Sequence, residues 1–168
     1  MIHSDLQIAI NQQINQEFTA AYNYLGMSAY FDEHNLEGFT NWMQKQFEEE
    51  QAHGLRLIRY LQDRGGKVQL GELPSPGTGY SSPIDIFKIA LEQEQANTTS
   101  INDLYELATK LNDHATKSHL QWFIDEQVEE EKSVEDIIAL LERVGDDPAG
   151  LLYLDDKLGA RQTEEIEA

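Results

Sequence analysis

Four stretches of this sequence repeat apolar side chains every three or four residues for nearly 30 residues each, and only one of the three links between them is long. Breakers mark the ends. A first helix is predicted over about 5–33, capped by Ser4 and Asp5, with Leu6, Ile10, Ile14, Phe18, Ala21 and Leu25 as its apolar stripe. A short break at "HNLEG" leads to a second over about 37–64, which Gly65-Gly66 stops. "KVQLGELPSPGTGYSS" is loop. Ser82 then caps and Pro83 opens a third helix, over about 83–111. "NDH" is a turn, a fourth helix follows over about 115–144, and "GDDPAG" ends it. "LLYLDDKL" gives a short fifth helix over about 149–158, and the tail "RQTEEIEA" is expected to fray. Short links make the first two helices antiparallel, and likewise the third and fourth. The long link, roughly 17 residues, spans the length of a bundle, so the second and third helices run parallel. The fold class expected is all-α: a four-helix bundle with one long crossover and a short fifth helix, a single domain over 1–168.

The faces that should meet the core are interrupted. The second helix sets Glu50 and His53 among Phe39, Met43, Phe47, Leu57 and Leu61. The third sets Glu94 among Ile84, Phe87, Leu91, Ile101 and Ala108. The first carries Glu17 between Ile14 and Ala21, and the fourth carries Gln127 and Glu130 between Phe123 and Val134. Heights counted from the breaks at 1.5 Å per residue put all six groups within about one helical turn of a common level. Four carboxylates at one level in a core cannot all stay ionised and unaided, because desolvating even one costs several kcal/mol. They take up protons or they hold cations. Glu50-x-x-His53 favours cations: residues three apart project to one side, so a carboxylate and an imidazole can reach one ion. Oxygen-rich donors with one imidazole suit Fe(II), Mn(II) or Zn(II). Glu50 is central enough to bridge two ions, with Glu17 and His53 completing one and Glu94 and Glu130 the other. The second half of the chain offers Gln127-x-x-Glu130 in place of a second Glu-x-x-His, so one ion should be held less firmly.

Composition adds exclusions. A net charge of -19 opposes binding to nucleic acid and to anionic membrane, and it concentrates cations at the surface. No apolar run approaches the roughly 20 residues that cross a bilayer, and "MIHSDLQIAINQQINQEF" has no basic stretch ahead of an apolar block, so neither a membrane span nor a secretory leader is expected. The absence of cysteine removes disulfides and thiolate metal sites and suits a cytoplasmic location. His3, His34, His114 and His119 fall at helix ends or on polar faces and are expected to be solvated. Tyr30, Phe31 and Tyr80 are expected to be exposed, where they could join contacts between copies.

The segments "NQEFTAAYNYL", "EEEQAHGLRL", "LEQEQANT", "LQWFIDEQVEEEK" and "GLLYLDDKL" together resemble the ferritins, most of all the non-haem ferritins of bacteria, over nearly the whole chain. The long crossover has ferritin-like connectivity. The resemblance implies an iron store and ferroxidase that assembles 24 copies into a shell, oxidises Fe(II) with O2 or hydrogen peroxide, and deposits ferric mineral inside. It implies Glu17, Glu50 and His53 as ligands of one iron, Glu50, Glu94 and Glu130 as ligands of the second, and Gln127 bonding nearby. It further implies a third iron site from Glu49, Glu126 and Glu129 with Glu130 shared, and a redox-active Tyr24. No haem is expected, since Ala52 stands where bacterioferritins, close relatives, carry the methionine that binds it. Lys117 and Leu120 replace the acids that line the threefold channel of animal ferritins, which leaves the route of iron open. Two rivals remain: a di-iron oxidase that forms no shell, and an acidic structural bundle whose seam carboxylates are simply protonated.

Overall fold

The structure, a computed structural model, describes residues 1–162 of the 168. The described residues are helical with no strand: α1 Ser4–Glu33, α2 Glu37–Asp63, α3 Pro83–Lys110, α4 His114–Val144 and α5 Pro148–Gly159. Of the tail expected to fray, Arg161 and Gln162 follow α5 without regular structure, and residues 163–168 lie outside the described residues.

The ends follow local chemistry. His3, rather than Ser4 or Asp5, caps α1: its Nδ1 accepts from the Asp5 amide at 3.2 Å. Gly65 takes a positive φ of 70° and the Gly66 amide returns to the Leu61 carbonyl at 2.9 Å, which closes α2. Ser82 accepts from the Asp85 amide, and Pro83 supplies the first residue of α3. Asp113 caps α4 and also takes both terminal nitrogens of Arg64, at 2.9 and 2.8 Å, tying the end of α2 to the α3–α4 turn.

Pairings across the bundle give the directions. The Ile2 amide bonds the Arg64 carbonyl, so α1 and α2 are antiparallel. Gln13 meets Asn97 and Ser100 while Asn23 meets Gln93, so α1 and α3 are antiparallel and α2 and α3 run parallel. The crossover that permits this is fastened to α1. Gln7 accepts from the Lys67 amide at 2.8 Å, Asn11 from Gln69 at 2.7 Å and Asn15 from Gly71 at 3.1 Å. Asn11 and Asn15 also donate to the carbonyls of Lys67 and Glu72. Four residues of helix rise about 6 Å and two of extended chain about 6.6 Å, so three successive turns of α1 meet every second residue of the crossover from Lys67 to Gly71. α5 lies across the start of α2, where Asp155 Oδ1 accepts from the Phe39 amide at 2.9 Å and caps a helix that has no side-chain cap of its own.

On α1 the buried stripe departs from the one expected. A four-residue step turns about 400°, so a run of such steps drifts about 40° each time. Leu25 has rotated out and is 39 % exposed, while Tyr24, Met27 and Phe31 are buried. Phe31 is therefore no surface residue: it stacks on Phe39 with ring centroids 4.9 Å apart, and Tyr30 and Tyr80 pack half-buried beside it. The apolar core has two parts. One gathers Tyr24, Phe31, Phe39, Trp42, Phe87 and Val134; the other gathers Leu6, Ile14, Leu57, Leu61, Ile101 and Phe123. Between them lies a polar layer.

Candidate metal centre

Each long helix contributes to that layer because its core stripe passes through one or two polar positions there. Glu17, Glu50, His53, Glu94, Gln127 and Glu130 are all buried, which brings together the six groups the heights predict. Ligand atoms of Glu17, Glu50 and His53 lie within 4.8 Å of one another, with His53 Nδ1 3.5 Å from Glu50 and 3.8 Å from Glu17. A second trio within the same spacing joins His53 to Glu126 and Glu130. Glu94 belongs to neither trio. One of its oxygens accepts from the Tyr24 hydroxyl and the other faces Gln127 Nε2 at 3.4 Å.

Both carboxylate oxygens of Glu50 and both ring nitrogens of His53 are buried without a hydrogen-bond partner. A buried polar group without a partner costs about 1–3 kcal/mol, and more when charged. Burial, then the neighbouring charges of Glu94 and Glu17, hold the Glu50 carboxyl well above the usual range. Burial and Glu94 do the same for Glu130. Burial lifts Glu94 to about 7 against the opposing hydrogen bond from Tyr24. Burial lowers His53, which keeps the imidazole neutral and able to donate a lone pair. Tyr24 is raised by burial and by Glu94, so its phenol stays protonated at neutral pH. These shifts describe a place that disfavours bare negative charge and gains most from a cation.

A frame of amides holds the layer. Gln13 Nε2 donates to Glu17 Oε1 at 2.7 Å and to Asn97 Oδ1 at 2.6 Å. Asn97 Nδ2 lies 3.2 Å from Glu17 Oε2 and 3.3 Å from Gln127 Oε1, and Gln46 Nε2 donates to Glu130 Oε2 at 2.7 Å. A search for metal-ligating residue types passes over Gln13, Gln46 and Asn97. Their signal is positional: each stands one helical turn from a seam carboxylate of its own helix, on the same face.

Outside the layer, Glu49, Glu126, Glu129, Glu130, Ser133 and Arg161 line a cavity of about 140 Å³. Glu49 is buried, Glu126 half-buried and Glu129 exposed. Trp122 lies between the Arg56 guanidinium, 4.1 Å from its ring centre, and the His53 ring, nearly perpendicular to it with ring centroids 5.4 Å apart. His119 is not the solvated residue expected. It stacks on Tyr60 at 3.9 Å, half-buried, and burial followed by the Arg56 charge lowers it to about 4.

Fold and layer together define a four-helix bundle with a carboxylate and imidazole cluster, and comparison with known proteins agrees on the fold. The family described as "Ferritin-like domain" matches residues 7–144, and the chain belongs to it. It is 42 % identical over 165 residues to the bacterial non-heme ferritin of Staphylococcus haemolyticus, covering 98 % of this chain and 99 % of that protein. The bacterial non-heme ferritin of Staphylococcus aureus strain USA300 is 41 % identical over 98 % of the chain and 99 % of its own length. Among solved structures, an engineered closed form of the Archaeoglobus fulgidus ferritin matches with TM-score 0.96 and 41 % identity, over 98 % of this chain and all of that one. The open pore ferritin of the same archaeon matches with TM-score 0.95 and 41 % identity, over 96 % of this chain. No helix among the described residues is long and apolar enough to cross a membrane.

Proposed function

We propose that this chain stores iron and is a ferroxidase, working as a shell of 24 copies in the cytoplasm. The observation that carries the reading is the pair Glu50 and His53, fully buried in a layer of carboxylates with four polar atoms lacking any hydrogen-bond partner. Fe(II) is the substrate those atoms fit. Glu17, Glu50 and His53 hold one ion. Glu50, Glu94 and Glu130 hold the second, with Glu126 and the shared imidazole at its edge. Each Fe(II) gives one electron to a single O2; two protons join it, and hydrogen peroxide leaves beside two Fe(III). Hydrogen peroxide as oxidant takes the same two electrons and leaves as two hydroxides. Gln127, bonded to Glu94 and linked through Asn97 to Glu17, fixes the spacing of the two halves. Tyr24, hydrogen-bonded to Glu94, stands where it can supply a further electron. Fe(III) hydrolyses readily, leaves the layer by the acidic cluster of Glu49, Glu126 and Glu129, and collects inside the shell as hydrated mineral. The resemblance to bacterial non-heme ferritins supports both the storage role and the shell.

The test is anaerobic addition of about two Fe(II) per apo chain, then air, followed by stopped-flow absorbance and gel filtration. Rapid coloured species, then uptake of many irons per chain by a particle of about 460 kDa, are expected for 24 copies of a 19.2 kDa chain. One turnover with iron retained in a small particle would favour a di-iron oxidase. Oxidation no faster than in buffer would overturn the ferroxidase reading.

A further inference from the structure

The acidic cavity beside the paired layer already holds a cation, and the chain itself supplies it. Arg161 follows α5, and its Nη2 donates to Glu49 Oε2 at 2.7 Å. Its guanidinium carbon lies 4.7 Å from the centre of the Trp42 ring, and its carbonyl accepts from Asn41 Nδ2 at 3.2 Å. Stacking on one face and a backbone bond to α2 fix where the charge sits. The fit is incomplete, because Arg161 Nη1 is buried with no hydrogen-bond partner. One positive charge therefore stands among four carboxylates and uses only part of its donor set. A second feature fits a metal ion at the same place. His53, whose ring nitrogens are buried and without hydrogen bonds, turns one of them to within 4.8 Å of oxygens of Glu126 and Glu130, two walls of the same cavity.

We propose that Arg161 is a displaceable counter-ion of this outer cluster: it holds the place of a divalent cation, and iron binds there only by moving the guanidinium off Glu49. The inference rests on reading Glu49, Glu126, Glu129 and Glu130 as an iron site. It adds that the segment after α5 sets that site's affinity. Because Glu130 belongs to both the cluster and the paired layer, Arg161 also controls how freely an ion passes from one to the other. With Arg161 in place the outer cluster fills last and weakly. Its displacement lifts the guanidinium from the Trp42 ring, so filling has an optical signal.

The experiment uses the full-length apo protein carrying Trp122→Phe, which leaves Trp42 as the single indole. Zn(II), which undergoes no redox change, is titrated by calorimetry and by Trp42 emission. Two classes of site are expected, a tighter one for the buried layer and a weaker one for the outer cluster. Glu129→Gln should weaken the second class, which assigns it. Arg161→Ala should tighten that class by about tenfold, the worth of one charge-assisted hydrogen bond no longer opposing the ion. It should leave the tighter class within about twofold and abolish the change in Trp42 emission, with Arg161→Lys falling between. An unchanged weaker class in Arg161→Ala overturns the counter-ion role and leaves the cluster a metal site. If no weaker class exists in any variant, or Glu129→Gln does not move it, the outer-site reading fails and the inference with it.

Discussion

At the scale of single residues, Glu50 sets ligand-readiness against stability. An amide in its place cannot ionise, whereas an ionised carboxylate buried there without a partner costs several kcal/mol. Glu50→Gln should therefore raise the melting temperature of the apo protein and weaken Zn(II) binding. The sign with pH follows from the raised Glu50 carboxyl. Between the ordinary carboxylate range and the folded value the native state holds a proton that the unfolded chain releases, so wild-type stability falls as pH rises. The gain from Glu50→Gln should be larger at pH 8 than at pH 5; an equal gain at both would contradict the burial argument. Glu94, held up at about 7, gives a companion prediction. It must lose its proton to bind a cation, so Zn(II) affinity should drop as pH falls through 7, by about tenfold per unit for each proton displaced. Calorimetry in two buffers of different ionisation enthalpy should count at least one proton released per ion at pH 6. The seam carboxylates were legible in the sequence because each replaces an apolar residue in an apolar stripe. Their partners were not. Nothing in the stripes says that Glu94 turns toward Tyr24, or that His53 serves two trios, because side-chain direction depends on rotamers set by neighbouring helices.

At the scale of elements, the breakers gave the helices and the long crossover gave their directions, since Gly, Pro and capping side chains act within a few residues of where they stand. Rotation about each helix axis was harder. Stepping by fours carried the apparent stripe of α1 to Leu25 and misplaced Phe31, because the true period is 3.6. The seating of α5 was also hidden, being made by contacts over a hundred residues apart. Gly38 is the key to it. A Cβ there would stand 1.6 Å from the Asp155 carbonyl oxygen. Gly38→Ala should push α5 from the start of α2, remove the Asp155 cap and expose Leu154 and Leu158. The expected loss is about 3 kcal/mol, at the upper end for overpacking because the obstacle is backbone. Thermal melts should register it, and limited proteolysis should cut between α4 and α5 first. An unchanged melt would mean that α5 is seated by something other than this close approach.

At the scale of the whole molecule, the proposed chemistry and the proposed assembly would be carried by different surfaces. The layer lies inside the bundle, between two apolar halves, while contacts between copies would use outer faces such as those of Leu55, Leu70 and Val128. Glu50→Ala should therefore abolish rapid Fe(II) oxidation and leave the particle mass by gel filtration or light scattering unchanged. Loss of the large particle would show that the layer also holds the shell together. The crossover has a consequence of another kind. Its first half runs in step with α1, amide for side chain, like two rulers whose marks coincide. Its second half, from Leu73 to Gly79, has no such matching marks. Descent with insertion and deletion should thus treat the two halves unequally. One residue gained or lost between Lys67 and Gly71 throws every later mark out of step, whereas the stretch beyond, held to α1 by Pro76 packed on Gly26, can change length wherever that contact is kept.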